Sequence, residues 1–353
     1  MPKPPGRPHR RQIPVDKLPA FRYPTFDLVL TKDWTEMKTA ILNILRRSGD
    51  RVSGEQLSAE LGVSRVSIWK HIRALQAAGH PIEATSKGYR LGDEGDVLSA
   101  YAIPGREGTI HYYPEVPSTM GIARDLAREG CPHLTAVVAG RQLQGRGRLD
   151  RSWASADGGL YFTVVVRPHL PVLAAFRVNF RASATLAHVL RDQFEVPASV
   201  KWPNDILVGE RKLAGLLSEM ETRGELVSFI NIGIGINVNN DPGPEAPDAV
   251  SIRELLGRPV PRRRLLAGFL DAFEARLEAE PSLSGAIEDW KSRTVTIGRS
   301  VRVVTTTGVS EGTAEDVDET GALILRRPDG TAETVIYGDC FHGPDDNPTS
   351  EHP

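Results

Sequence analysis

Residues 53–91 read SGEQLSAELGVSRVSIWKHIRALQAAGHPIEATSKGYRL, and their punctuation sets the architecture of the N-terminal part of the chain. Ser53 with Gln56 three positions later is a capping-box start. The short helix that follows carries Leu57 and Leu61 and stops at Gly62. Ser64 caps a further helix whose Ile68, Ile72 and Leu75 share one face, and Gly79 ends it. The closing PIEATSKGYRL spells two short strands around Lys87-Gly88. Upstream, Met37, Ile41, Ile44 and Leu45 line one face of a helix that Gly49 terminates. Helix, short helix, tight turn, helix, hairpin is the order of a winged helix-turn-helix.

Residues 36–92 hold nine Lys or Arg against five Asp or Glu, a local +4 in a chain whose net charge is -2. That is the footprint of a phosphate-binding module. In a helix-turn-helix the second helix enters the major groove. Ser64, Arg65, Ser67, Lys70 and His71 are therefore expected to face DNA, with Lys87 at the hairpin tip against phosphate. The same spacing is open to an ordinary helical domain with solvated charges, or to a winged helix that binds protein.

A length of 353 residues allows two to three domains, and 40% hydrophobic with 25% charged residues suits globular cores. No window reaches the roughly 18 apolar residues of a spanning helix. The opening MPKPPGRPHRRQIP lacks the apolar segment of a secretory signal. Cys131 and Cys340 are distant and form no CxxC pair, so neither a zinc site nor a disulfide framework is expected, and a reducing cytoplasm is.

Residues 1–33 are Pro/Arg-rich without periodicity and are expected to be a disordered tail, as are 344–353. The winged helix is expected over 34–95 and a central unit over 105–293. There TAVVAG, LYFTVVVRP, ASVKW, LAGLLSEM and FINIGIGINV are strand-like, and 119–129, 178–194, 262–279 and 285–292 helical. The strands do not alternate strictly with helices, so the class is α+β rather than a doubly wound parallel sheet. Over 294–343, short strands between Gly and Asp turns suggest a small SH3-like β-barrel.

Four stretches carry chemistry. Residues 144–153, QGRGRLDRSW, follow a strand. Gly145 and Gly147 allow close backbone approach and positive φ. Arg146, Arg148 and Arg151 present forked donors for phosphate or carboxylate. Trp153 offers a face for a base. The same loop would also suit an RNA-binding or simply solvated surface. KWPND at 201–205 puts Lys201 near a strand end stopped by Pro203. A Lys between Val200 and Trp202 needs an anionic partner if buried, though it also suits a strand edge. RKLAGLLSE at 211–219 is the third stretch. GIGIN at 233–237 is the fourth, a strand a ligand could lie flat against, or a tightly packed central one.

Taken together and in order, these motifs make residues 36–340 resemble the bifunctional biotin protein ligase and biotin operon repressor family. The helix-turn-helix, KGYRL, the Ser118-Thr119 pair, GRGR, KWPND, RKLAGLLSE and GIGIN carry the resemblance. It implies a catalytic domain of the class II synthetase-like type and a two-step ligation using ATP and Mg²⁺. Biotin would become biotinyl-5′-AMP and then be transferred to a lysine of the biotin carboxyl carrier protein domain of acetyl-CoA carboxylase or a related carboxylase. By similarity, Lys201 bridges the biotin carboxyl and the α-phosphate, Arg148 and Arg151 contact phosphate, and Arg146 orders the loop over biotin. Ser118, Thr119, Met120, Gln142, Gly147, Gly233 and Gly235 surround biotin. Trp153, Asn204 and Asn237 belong to the nucleotide, with Trp153 stacked on adenine. Ser118 is also placed to cap helix 119–129. The adenylate would act as corepressor, promoting a homodimer on operator DNA. The family usually has Asn where Met120 stands and Gly where Asp150 stands. A ligand-sensing regulator with weakened ligase activity and a lipoate ligase are the rival readings, and the metal-binding residues stay open.

Overall fold

The computed structural model describes residues 32–149, 151–243 and 246–343. The tail expected over 1–33 falls outside them except for Lys32 and Asp33, which open the first helix; the tail over 344–353 and Asp150 fall outside as well.

Helices α1 (Lys32–Ser48), α2 (Gly54–Leu61) and α3 (Arg65–Ala77) precede a hairpin of β1 (Ile82–Thr85) and β2 (Gly88–Leu91). The capping box closes both ways: Gln56 N–H donates to Ser53 Oγ, and Ser53 N–H to Gln56 Oε1, each at 3.0 Å. Gly62 ends α2 in the left-handed conformation, and Ser64 Oγ accepts from Ser67 N–H at the start of α3. Ile41, Leu45, Leu57, Ile68, Ile72 and Leu75 fuse these pieces into one core.

His71 belongs to that core and not to the outward face expected of it. It lies three residues after Ile68 and four before Leu75, on the buried stripe, and is 3% exposed. Burial and the charge of Lys38 lower its pKa.

Segment 93–101 binds this unit to the next. Arg46 donates twice to Glu94 at 2.7 and 2.8 Å, and His80 bridges Glu94 at 2.9 Å and Ser99 at 2.6 Å. Asp96 then accepts from the backbone and guanidinium of Arg262.

The central unit runs β3 (Ile110–Val116), α4 (Thr119–Arg128), β4 (Thr135–Gln142), β5 (Leu160–Val166), α5 (Phe176–Phe194), β6 (Ser199–Lys201), β7 (Asp205–Val208), β8 (Arg211–Arg223), β9 (Leu226–Ile236), α6 (Ile252–Leu256), α7 (Arg262–Ala279) and α8 (Ala286–Lys291). Its seven-stranded sheet has the order β3-β4-β5-β9-β8-β7-β6, and only β3 and β4 are parallel. This is the α+β arrangement expected. Along β9 the pleat sends Ile230, Ile232, Ile234 and Ile236 into the large core with α5 and α7. The alternate positions Phe229, Gly233 and Gly235 take the other face, where α4 packs. β3, β7 and α6 were not foreseen: β7 and α6 are only four and five residues long, and β3 breaks its pattern at Pro114.

Five strands complete the chain: β10 (Ser300–Val304), β11 (Val309–Val317), β12 (Leu323–Arg326), β13 (Ala332–Val335) and β14 (Asp339–His342). They form an antiparallel sheet in the order β13-β12-β11-β10-β14, with a bulge at Ala314/Asp316. Val301, Val303, Leu323, Leu325 and Cys340 merge with the core of the central unit, so this sheet is not a separately cored body. That merger brings β14 against the central sheet. Cys131 and Cys340 are free thiols. Among the described residues no helix is long and apolar enough to cross a membrane.

Candidate active site

The Gly/Arg loop folds back on itself. Trp153 N–H donates to Gly145 O and Gly147 N–H to Arg151 O, both at 2.8 Å. A Cβ on Gly145 would lie 2.3 Å from Trp153 O and 2.7 Å from Ser155 Oγ, so only glycine fits. Its role is close approach and not positive φ: among the loop's described residues it is Leu149, at φ 50, that takes the left-handed region.

This turn lays the Trp153 ring over the glycines of the two long strands. A Cβ on Gly235 would meet the ring at 2.5 Å, and one on Gly215 at 2.9 Å. Lys212 Nζ sits 5.4 Å from the ring centroid and pairs with Asp205 at 2.8 Å. The indole is thus gripped between the sheet and a cation.

A cavity of about 660 Å³ opens here. Ser118, Thr119, Met120 and Gln142 line it from α4 and β4. The loop contributes Arg146, Gly147, Arg148, Arg151 and Trp153, the β6–β7 turn Lys201 and Asn204, and β9 Gly233 and Gly235. Stretches far apart in sequence therefore meet in one place. Asn237 lies outside that lining. It is 5% exposed, and its Oδ1 accepts from Asn240 Nδ2 at 3.0 Å.

One part of the wall is neutral and polar. Gln142 Oε1 accepts from Thr119 N–H at 2.9 Å and Thr119 Oγ1 at 3.1 Å, while Gln142 Nε2 donates to Ser155 at 3.1 Å. The amide is therefore fixed in orientation. Ser118 stands at the N-cap position of α4, yet its side chain makes no cap bond. Its Oγ is buried without a hydrogen-bond partner, as is Trp153 Nε1. Buried polar atoms nearly always have partners, so two orphans in one cavity wall mark where a ligand's polar groups would go. Met120 is 3% exposed and its thioether packs over Gly233.

The rest of the wall is charged, with five cations set among the carboxylates of Asp205, Glu210, Asp248 and Asp339. Arg146 pairs with Glu219 at 2.8 Å, and Arg151 with Asp339. Arg148 donates to Asn204 Oδ1 and Gly338 O, each at 3.2 Å, and burial lowers its pKa. The Lys201 side chain has no hydrogen bond or ion pair to a described residue. Its charge reaches two neighbours. Burial pushes the Cys340 thiol up to about 11 although Lys201 works against it. Burial alone would raise the Glu210 carboxyl, but Arg299, His342 and Lys201 outweigh it and hold it below the usual carboxylate range.

Sequence reasoning missed Lys212, Asp205, Glu219 and the β14 residues Asp339, Cys340 and His342. Lys212 and Glu219 lay in a quoted motif, but their contacts depend on sheet register. β14 reaches the cavity only through the shared core. Among the described residues no group of three or more His, Cys, Asp or Glu is arranged to hold a metal ion.

On the winged helix, four basic residues are already engaged: Arg46 with Glu94, Arg47 with Glu60, and Arg51 and Arg90 with Glu83. Arg65, Lys70, Arg73 and Lys87 have no carboxylate partner among the described residues. The first three lie on the exposed side of α3 and Lys87 at the hairpin tip.

Comparison with known proteins follows these divisions. A family described as the biotin/lipoate A/B protein ligase family matches residues 112–237, an HTH domain residues 38–90, and the biotin protein ligase C terminal domain residues 296–343. The bifunctional ligase/repressor BirA of Bacillus subtilis is 31% identical over 310 residues, covering 83% of this chain and 95% of its own. BirA of Escherichia coli is 31% identical over 304 residues, covering 84% of this chain and 94% of its own. The solved biotin protein ligase of Aquifex aeolicus in complex with biotin and ATP is 27% identical with a TM-score of 0.58, covering 67% of this chain and 99% of that one. With its winged helix, its charged cavity and relatives matched along nearly their whole length, the chain belongs to the bifunctional biotin protein ligase/repressor family.

Proposed function

We propose that this chain activates biotin with ATP and transfers it to a lysine of a biotin carboxyl carrier protein domain. The observation that carries the reading is the single cavity holding Lys201, three loop arginines and the Ser118–Thr119–Gln142 wall.

The chemistry asks for such a wall. An anionic carboxylate must approach an anionic α-phosphate, and charge builds up as the new O–P bond forms and the bond to pyrophosphate breaks. Preorganised cations offset that repulsion without reorganising at the moment of reaction. Lys201, unengaged by protein carboxylates, is free to bridge the carboxylate and the phosphate. Arg148 and Arg151 serve the phosphates, and Arg146 closes the loop over biotin. Gln142 and the orphaned Ser118 hydroxyl suit the ureido ring, which both donates and accepts hydrogen bonds. In the second step a neutral lysine amine of the acceptor attacks the acyl carbon, AMP leaves, and a proton is released.

Mg²⁺ binds through substrate phosphates with one or two carboxylates. Of the carboxylates lining the cavity, Asp205, Glu210 and Asp339 are paired with Lys212, Arg299 and Arg151, and Asp248, with no ion pair to a described residue, fits that demand. Bound there, the ion would neutralise phosphate charge.

The winged helix supports repression as the second activity, with biotinyl-5′-AMP as corepressor and a homodimer reading two half-sites. The unengaged cations of α3 and the hairpin tip carry this part. Incubation with biotin, MgATP and a carrier domain followed by streptavidin detection tests the ligase; an unlabelled acceptor refutes it. Gel shifts on the promoters of its own biotin genes, with and without the adenylate, test repression; absent or adenylate-independent binding refutes it.

A further inference from the structure

The outward face of α3 carries more than charge. Val66 is 64% exposed and Trp69 53% exposed, two large apolar side chains left out of the core that Ile68, Ile72 and Leu75 complete. Val66, Trp69, Lys70 and Arg73 are spaced three, four and seven apart, which puts them on one face of the helix. The Arg73 guanidinium lies 5.9 Å from the centroid of the Trp69 ring, so the indole is steadied while its remaining surface stays open.

Arg65, Lys70, Arg73 and Lys87 around this pair lack counter-ions among the described residues. Charge complementarity therefore selects a polyanion as the occupant. Two exposed apolar groups then need an apolar feature inside a polyanion. The major groove of DNA supplies one, the C5 methyl of thymine, which apolar side chains read directly. Val66 and Trp69 fall within the first two turns of α3, the part of a recognition helix that meets base edges.

We infer that Val66 and Trp69 read thymine methyl groups in the major groove, with Arg73 held on Trp69 to meet a flanking phosphate. This rests on the DNA-binding reading above and adds the chemistry by which sequence is recognised.

The test uses the full chain with biotin and MgATP to select duplexes from a randomised library. The winning duplex is remade with deoxyuridine for thymidine at one position at a time, which removes the methyl and keeps the pairing. The chain is expected to lose roughly fourfold in affinity per methyl at one or two adjacent positions. Val66→Ala and Trp69→Ala are expected to bind the thymine duplex more weakly and to lose discrimination at the matching position, with biotin transfer unchanged. Uridine that is silent everywhere, or that costs the variants as much as the parent, overturns the inference and leaves DNA binding standing. A library from which no duplex is enriched overturns both.

Discussion

In the cavity Arg146 lies against Glu219, Arg151 against Asp339 and Lys212 against Asp205, whereas on α3 Arg65, Lys70 and Arg73 have no carboxylate among the described residues. The two regions deal with phosphate in opposite ways. The cavity fixes Arg146, Arg151 and Lys212 with protein anions and Arg148 with neutral oxygens, and leaves the Lys201 side chain unengaged. The helix leaves its cations to water and counterions. Catalysis needs groups whose geometry is set before charge develops. Groove binding draws its affinity from releasing counterions, and exposed, unpaired cations serve that best.

The largest effect that tests this contrast is at Lys201. Lys201→Ala should cost on the order of 10²–10³ in biotin-dependent ATP–pyrophosphate exchange. Its melting temperature should stay close to that of the parent, because the side chain makes no hydrogen bond to a described residue. A large loss of melting temperature would mean that Lys201 is a structural cation like Arg146.

Next comes Gly235→Ala. The added methyl would fall 2.5 Å from the Trp153 ring, and overpacking of that kind costs enough for roughly a tenfold change. The KM for ATP should rise by about that factor, with a shifted tryptophan emission. An unchanged KM would show that the gripped indole plays no part in nucleotide binding.

A smaller effect is expected on the helix. Lys70→Ala should reduce the slope of log affinity against log salt by about 0.9, the share of one released phosphate counterion. Biotin transfer should be untouched. A slope that does not change would place Lys70 off the backbone.

These residues were not equally legible in the sequence. Glycine, proline and arginine at fixed offsets report local chemistry, so QGRGRLDRSW and KWPND announced a cavity that the sheet then assembled. The helix-turn-helix was legible down to its caps, because Ser53, Gln56, Gly62 and Ser64 act within their own turns. His71 was misjudged although the signal was present: its offsets from Ile68 and Leu75 put it on the core stripe. The bond from Asn240, three residues on, to the Asn237 amide oxygen left no mark in the GIGIN motif. The counter-ions Glu219 and Asp339 were out of reach, since strand register and the shared core bring them to the arginines.

The joint between the two regions gives the smallest effect. Burial alone would raise the Glu94 carboxyl, but hydrogen bonds from His80 and Arg46 and their charges hold it at about 2. A carboxyl depressed in the folded state stabilises above its unfolded pKa, about 4.3, and that contribution is lost as pH falls toward 2. Glu94→Gln should therefore lower the melting temperature at pH 7 and flatten its decline between about pH 4.5 and pH 2. An equally steep decline in the variant would remove the joint from the account.

Release of pyrophosphate by the full chain given biotin and MgATP, with no acceptor present, tests most directly whether one cavity neutralises both an acid and a nucleotide. The account predicts a burst of about one pyrophosphate per chain that needs biotin and disappears in Lys201→Ala. A folded chain that binds biotin and ATP but releases no pyrophosphate would contradict it.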